Sequence, residues 1–222
     1  MKSPIPTADL SQAIWNCDLP ALQCLVEAGA DLEKTAGRWA MFAYSTPLGA
    51  AVSQASSVIA KHHIEANQAA VEAGWTKPID HAKERSIVVE MVKLLLRAGA
   101  NPDKLSPTRS PLHLAVGYED LETVRILLQS GASPEGIAVS TASKLSRREG
   151  RKFIEGFYGT SLHCAAEQNL LEIAKALIAA GANPERLDYE DQTPLQVASA
   201  RGHKEVADFL ASLPASAIST AK

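Results

Sequence analysis

SPLHLA (110–115) decides how this chain is read, because it returns three times with small changes. TPLGAA stands at 46–51, TSLHCA at 160–165 and TPLQVA at 193–198, at intervals of 64, 50 and 33 residues. A second word follows the first at a fixed distance. From Ser110, 21 residues lead to Gly131 in LLQSGASPE, and from Thr160 the same 21 lead to Gly181 in LIAAGANPE. Counting back 21 from Gly29 in LVEAGADLE reaches Ala8, with Leu10 and Ala13 where the other copies carry leucine and alanine. A fixed interval between two fixed words marks a repeated supersecondary unit.

The residue types explain the words. Thr46, Ser110, Thr160 and Thr193 suit a helix N-cap, where a side-chain oxygen accepts from the first free N–H groups. Pro47, Pro111 and Pro194 follow at the first helical position, where a missing N–H costs nothing. Leu48, Leu112, Leu162 and Leu195 point to a core, and the alanine three residues later lets a second helix come close. That second helix is expected in DLPALQCLVEA, EMVKLLLRA, DLETVRILLQS, NLLEIAKALIAA and HKEVADFLASL, whose apolar residues recur at three- and four-residue spacing. Gly29, Gly99, Gly131 and Gly181 end it in the left-handed conformation. The following Ala-Asp, Ala-Asn or Ala-Ser suits a tight turn. One such helix pair cannot bury its own apolar face, so the units must stack.

The word, the glycine interval and the 33-residue step resemble the ankyrin repeat family. The resemblance covers about five repeats and implies an all-α solenoid of stacked helix-turn-helix units. The expected division is a tail at 1–6, an array at 7–213 and a flexible tail at 214–222. Within the array, repeats are expected at 7–38, 45–104, 109–133, 159–191 and 192–213. Repeat two carries an insert at 55–86, and a loop at 134–158 is inserted after repeat three.

Subtracting one period from the intervals leaves 31, 17 and 0 extra residues. Each doubling of a flexible loop costs only ~0.6 kcal/mol, so surface insertions are cheap. In repeat two, the insert is read as an extension of both helices into a protruding hairpin, broken at GWTKP (74–78) and resuming near Ile79. Trp75 at its tip either caps the hairpin or is an exposed anchor. The second insertion holds Lys144, Arg147, Arg148, Arg151 and Lys152, which form either a solvated loop or a patch for an acidic protein surface or phosphate. A longer turn after repeat one carries Trp39, Phe42 and Tyr44, three of eleven aromatics. They either serve a binding surface or cover the end of the stack.

Composition narrows the function. Net charge is −3 with 21 % charged residues, so nothing global draws the chain to nucleic acid or membrane. No apolar stretch approaches the ~18 residues needed to span a bilayer, and no signal peptide is apparent. Cys17, Cys24 and Cys164 lack metal-ligand spacing and read as reduced thiols of a cytoplasmic protein. His113 and His163 end the TPLH-type words, and the resemblance makes them, with His203, structural hydrogen-bonding residues. His62 and His63 point ~100° apart on a helix and cannot share a metal as an i, i+4 pair can. No glycine-rich phosphate loop, nucleophile elbow or paired-carboxylate constellation occurs. The expectation is a non-enzyme without cofactor, metal or small-molecule substrate.

Binding needs less signature. Eight residues past each cap stand Gln54, Tyr118, Gln168 and Arg201, with Asn16 as the first-repeat counterpart. In ankyrin-like arrays this register lies on the concave surface. Together with Trp39, Phe42, Tyr44, Arg147, Arg148 and Arg151 it is the expected surface for one dedicated protein partner. The sharper version is an inhibitor or immunity protein neutralising a toxin. The alternative is a nucleic-acid-associated regulator using the basic loop 144–152.

Overall fold

The computed structural model describes residues 7–35, 45–57, 81–106, 108–136, 159–188 and 190–213, with main-chain description alone at 7–9, 56, 57, 81 and 82. Both expected tails, the aromatic segment 39–44, Trp75 and the basic run 144–152 lie outside the described residues. The described chain divides into two compact units, meeting in sequence between Pro107 and Thr108.

The first unit holds two helix pairs. They are α1 (Thr7–Trp15) with α2 (Leu19–Glu27), and α3 (Pro47–Ser57) with α4 (His81–Arg97). First helices pack on first helices and second on second: α1 lies against α3, and α2 against α4. Leu10, Ile14, Leu48, Ala51 and Val52 fill the seam between the first helices, all within 1 % of complete burial. Val88, Met91, Val92 and Leu95 supply the buried face of α4.

The second unit holds three pairs, and the same rule governs them. They are α5 (Pro111–Gly117) with α6 (Leu121–Gln129), α7 (Ser161–Glu167) with α8 (Leu171–Ala179), and α9 (Pro194–Arg201) with α10 (Lys204–Ala211). Helix α7 sits between α5 and α9, and α8 between α6 and α10. Leu112, Ala115, Leu162, Ala165 and Ala198 are fully buried, which places the leucine and alanine of each word at the helix contacts. Leu195 departs from the expectation and is half-buried, because among the described residues no helix pair packs on the outer side of α9.

The caps form as local chemistry requires, with variations. Ser110 Oγ accepts from His113 N–H at 3.2 Å, and Thr46 Oγ1 from Gly49 N–H at 3.1 Å. Thr193 and Gln196 make a reciprocal box, Gln196 Oε1 accepting from Thr193 N–H at 2.8 Å. At Thr160 a ring completes the box: His163 Nδ1 accepts from Thr160 N–H at 3.2 Å. In TPLG the histidine is replaced by Gly49, since a Cβ there would stand 2.1 Å from Ser106 Oγ. That serine takes over the missing acceptor, receiving Thr46 N–H at 3.0 Å.

Two turns alternate along the array. Gly29, Gly99, Gly131 and Gly181 have φ of 82, 94, 87 and 95°, and the next N–H closes back on the helix, as Ala100 N–H does on Leu95 O at 3.0 Å. The other turn, between the helices of a pair, lies nine residues past the cap. Cys17, Glu119, Asn169 and Gly202 all adopt positive φ there. In repeat two the corresponding Ala55 remains inside α3, so this pair does not turn where the others do. Helix α4 starts 18 residues before its glycine, against ten for α2, α6 and α8. The eight extra residues add about 12 Å of helix.

After each glycine, the second residue's side chain accepts from the N–H two residues on: Asp31 from Glu33, Asn101 from Asp103, Ser133 from Glu135 and Asn183 from Glu185. The acidic residue so positioned then reaches a neighbouring turn. Glu33 Oε1 accepts from Asn101 N–H at 2.6 Å, with Lys104 Nζ 3.5 Å from its other oxygen. Glu135 Oε1 accepts from Asn183 N–H at 2.6 Å, with Arg186 Nε 3.6 Å away. These charge-assisted bonds link successive turns within each unit.

Two outcomes follow from this geometry. Glu119→Gly relieves an αL residue that costs 1–2 kcal/mol and adds backbone entropy to the unfolded chain, for a net gain of about 0.5–1 kcal/mol. The urea midpoint rises with unchanged slope, and a fall would contradict the strain argument. Glu135→Ala leaves Asn183 N–H without its charged acceptor and costs about 2 kcal/mol, while Glu135→Gln costs less than half of that. Equal losses for the two variants, measured in the same way, would show that the carboxylate's packing rather than its hydrogen bond matters.

Candidate functional site

Of the residues expected on the partner surface, four lie in described segments, and the helix ends place them. Tyr118 and Gln168 are the C-caps of α5 and α7, and Arg201 is the last residue of α9. Since α5, α7 and α9 are consecutive neighbours, the second unit brings these three side chains to the same end of one helix layer. Tyr118 and Gln168 are half-buried and Arg201 is exposed. In the first unit, Gln54 belongs to α3 and Asn16 follows α1. Trp39, Phe42, Tyr44, Arg147, Arg148 and Arg151 fall outside the described residues.

These side chains also hold the array together. Gln54 Nε2 donates to Trp15 O and Cys17 Sγ, both at 3.2 Å, joining the end of α1 to α3. Gln168 Nε2 donates to Cys164 Sγ at 3.0 Å, one turn back on its own helix. Arg201 pairs with Glu167, whose side chain is 23 % exposed against 58 % for the arginine. His203 Nε2 bonds Glu167 O at 2.8 Å, so the same short segment receives both residues of the α9–α10 turn. An ion pair this exposed contributes little stability and leaves the guanidinium accessible.

Two large apolar residues outside the expected set are exposed. Trp15 ends α1 and remains 45 % exposed, and Leu187, in the turn before α9, is 54 % exposed. Both are large apolar groups at accessible positions. Trp15 could have been suspected from its place one residue before Asn16 in the eight-past-the-cap register. Leu187 carries no such periodic signal, since it lies in a turn whose fold is set by Asp188 Oδ1 accepting from Glu190 and Gln192 N–H.

His113, His163 and Cys164 are buried parts of the repeats. His113 is held down to about 4, first by burial and then by the nearby Arg109 charge, while a backbone hydrogen bond with Gly136 opposes. His163 is also lowered, chiefly by burial. Burial pushes the Cys164 thiol up to about 11. Cys17 is raised as well, by burial and then by Glu84. Raised thiols are poor nucleophiles near neutral pH, because the thiolate is the reacting species. Cys17, Cys24 and Cys164 are all free. Among the described residues no group of three or more His, Cys, Asp or Glu is placed to hold a metal ion. Among the same residues no helix is long and apolar enough to cross a membrane.

Comparison with protein families meets this geometry in the second unit. A model of the ankyrin repeat matches residues 109–137, and a model of ankyrin repeats in many copies matches residues 162–211. No curated protein matches the chain. Ankyrin repeats generally mediate protein–protein interaction and are typically non-catalytic. With the matched words at the N-caps, left-handed glycines closing the second helices, and helix pairs stacked in two layers within each unit, the chain carries ankyrin repeats over residues 109–137 and 162–211.

Proposed function

We propose that the chain is a non-catalytic protein-binding module of the cytoplasm that recognises one dedicated protein partner. The observation that carries this reading is the register of Tyr118, Gln168 and Arg201. Three neighbouring first helices end in large side chains with polar tips at one edge, where stacking alone requires only a turn. Aromatic and arginine side chains of this kind dominate binding energy when a partner covers them. In the first unit, Trp15 and Gln54 supply an edge of similar chemistry.

The segments carrying Trp39, Phe42 and Tyr44, and Arg147, Arg148 and Arg151, belong to the proposal as flanking determinants. Their insertion into a regular array, which needs neither for stability, favours a dedicated partner. Neutralising a toxin, as an inhibitor or immunity protein, is the sharper form of the reading. The basic segment would suit an acidic toxin and counts against a basic nuclease as target. The second reading, binding of nucleic acid through 144–152, is favoured by five cations within nine residues.

Affinity purification of the tagged full chain from its own cells, with mass spectrometry and an absorbance ratio, separates these. The expected result is one stoichiometric protein. Tyr118→Ala then weakens it at least about tenfold, a typical loss for a buried aromatic anchor. Gln129→Ala, at the exposed end of a second helix, leaves it unchanged. Purification of the chain alone contradicts a dedicated partner. Bound nucleic acid released steeply by salt transfers the reading to the basic segment.

A further inference from the structure

The third residue after each cap in the second unit is His113, His163 and Gln196, and the three do related work with different chemistry. Gln196 closes the start of α9 with an amide oxygen, a group that does not titrate. His163 closes the start of α7 with a ring nitrogen. Its Nδ1 lies 3.2 Å from Thr160 N–H and 2.8 Å from Thr160 Oγ1, and its Nε2 lies 3.0 Å from Gln192 O. A main-chain N–H needs an acceptor and a carbonyl needs a donor, so the geometry fixes the tautomer with the proton on Nε2. Adding a proton at Nδ1 sets two donors against each other and leaves Thr160 N–H, at a buried cap, without its acceptor.

The ring of His113 is 1 % exposed and that of His163 is fully buried. Among the described residues, Arg109 is the charge facing His113 and His163 is the titratable neighbour, and neither offsets the cost of a buried imidazolium. Asp188 and Glu135 face His163 and oppose the burial effect in part. Through Gln192 O, His163 ties the start of α7 to the turn that leads into α9.

We infer that His113 and His163 make the repeats of residues 108–213 an acid-sensitive device. Protonation of His163 at Nδ1 loosens the start of α7 at Thr160, and a charged ring at fully buried His113 costs the repeat around α5 stability, while the Gln196 cap of α9 persists. The direction follows from linkage. Both rings are held below their ordinary titration point, so the unfolded chain binds more protons than the folded one. The stabilisation from His113 is complete above about pH 6.5 and is lost as pH falls toward about 4, and His163 acts in the same direction.

The test uses the full chain. NMR of the ring nitrogens is expected to show His113 and His163 as neutral tautomers, with His163 protonated at Nε2, persisting below pH 6. The double variant His113→Gln/His163→Gln borrows the side chain already at 196. Between pH 7 and pH 4, the wild-type unfolding equilibrium constant should rise on the order of 10²-fold more than the variant's. Parallel losses in the two proteins, or rings titrating near 6.5, overturn the inference. If the double variant does not fold at pH 7, the ring titration of the wild type decides on its own.

Discussion

A short amphipathic helix pair exposes more apolar surface than it can cover, and this constraint governs the whole chain. Helices of seven to nine residues, such as α5 and α6, are too short to be stable alone. Their leucine and alanine stripe is buried only against the next pair, so each repeat supplies part of its neighbour's core. The alanines at 115, 165 and 198 are fully buried because larger residues would hold neighbouring first helices apart. Stability within a unit is then the sum of pair and interface contributions.

Short helices carry a second demand. Free N–H groups at a helix start are a large share of such an element's backbone, so each start needs an acceptor. The chain meets it with a serine hydroxyl brought from 60 residues away, an imidazole and an amide. The imidazole joins helix capping to pH. The turns after the glycines meet a matching demand, where Glu33 and Glu135 receive N–H groups of the following turns.

The core of the stack and the proposed partner surface draw on different parts of each repeat, though Gln54 and Arg201 also bond to the neighbouring repeat. The core requires the leucine, the alanine and the apolar face of the second helix, whereas the helix ends tolerate variation. That freedom is where Tyr118, Gln168, Arg201 and Trp15 stand. It also explains why the left-handed turn accepts Cys17, Glu119 and Asn169 as well as Gly202. The backbone cost of a side chain there, 1–2 kcal/mol, is small beside the burial that fixes the fold.

Much of this was legible in the residues themselves. The repeated word placed the caps, the fixed 21-residue interval placed the left-handed glycines, and three-to-four spacing placed the buried faces, because each is a local requirement of backbone geometry. The tertiary structure decided what the sequence left open. It set His163 against Thr160 in a reciprocal box, left Leu195 half-buried, and kept Ala55 inside α3 where other repeats turn. It drew Gln54 and Gln168 onto Cys17 and Cys164, so that residues expected to serve a partner also bind the array. The carboxylates of Glu33 and Glu135 showed no signal in sequence, since their partners lie 68 and 48 residues away. Local words fix local geometry, but which acceptor satisfies a buried donor is settled only when packing brings distant segments within hydrogen-bond reach.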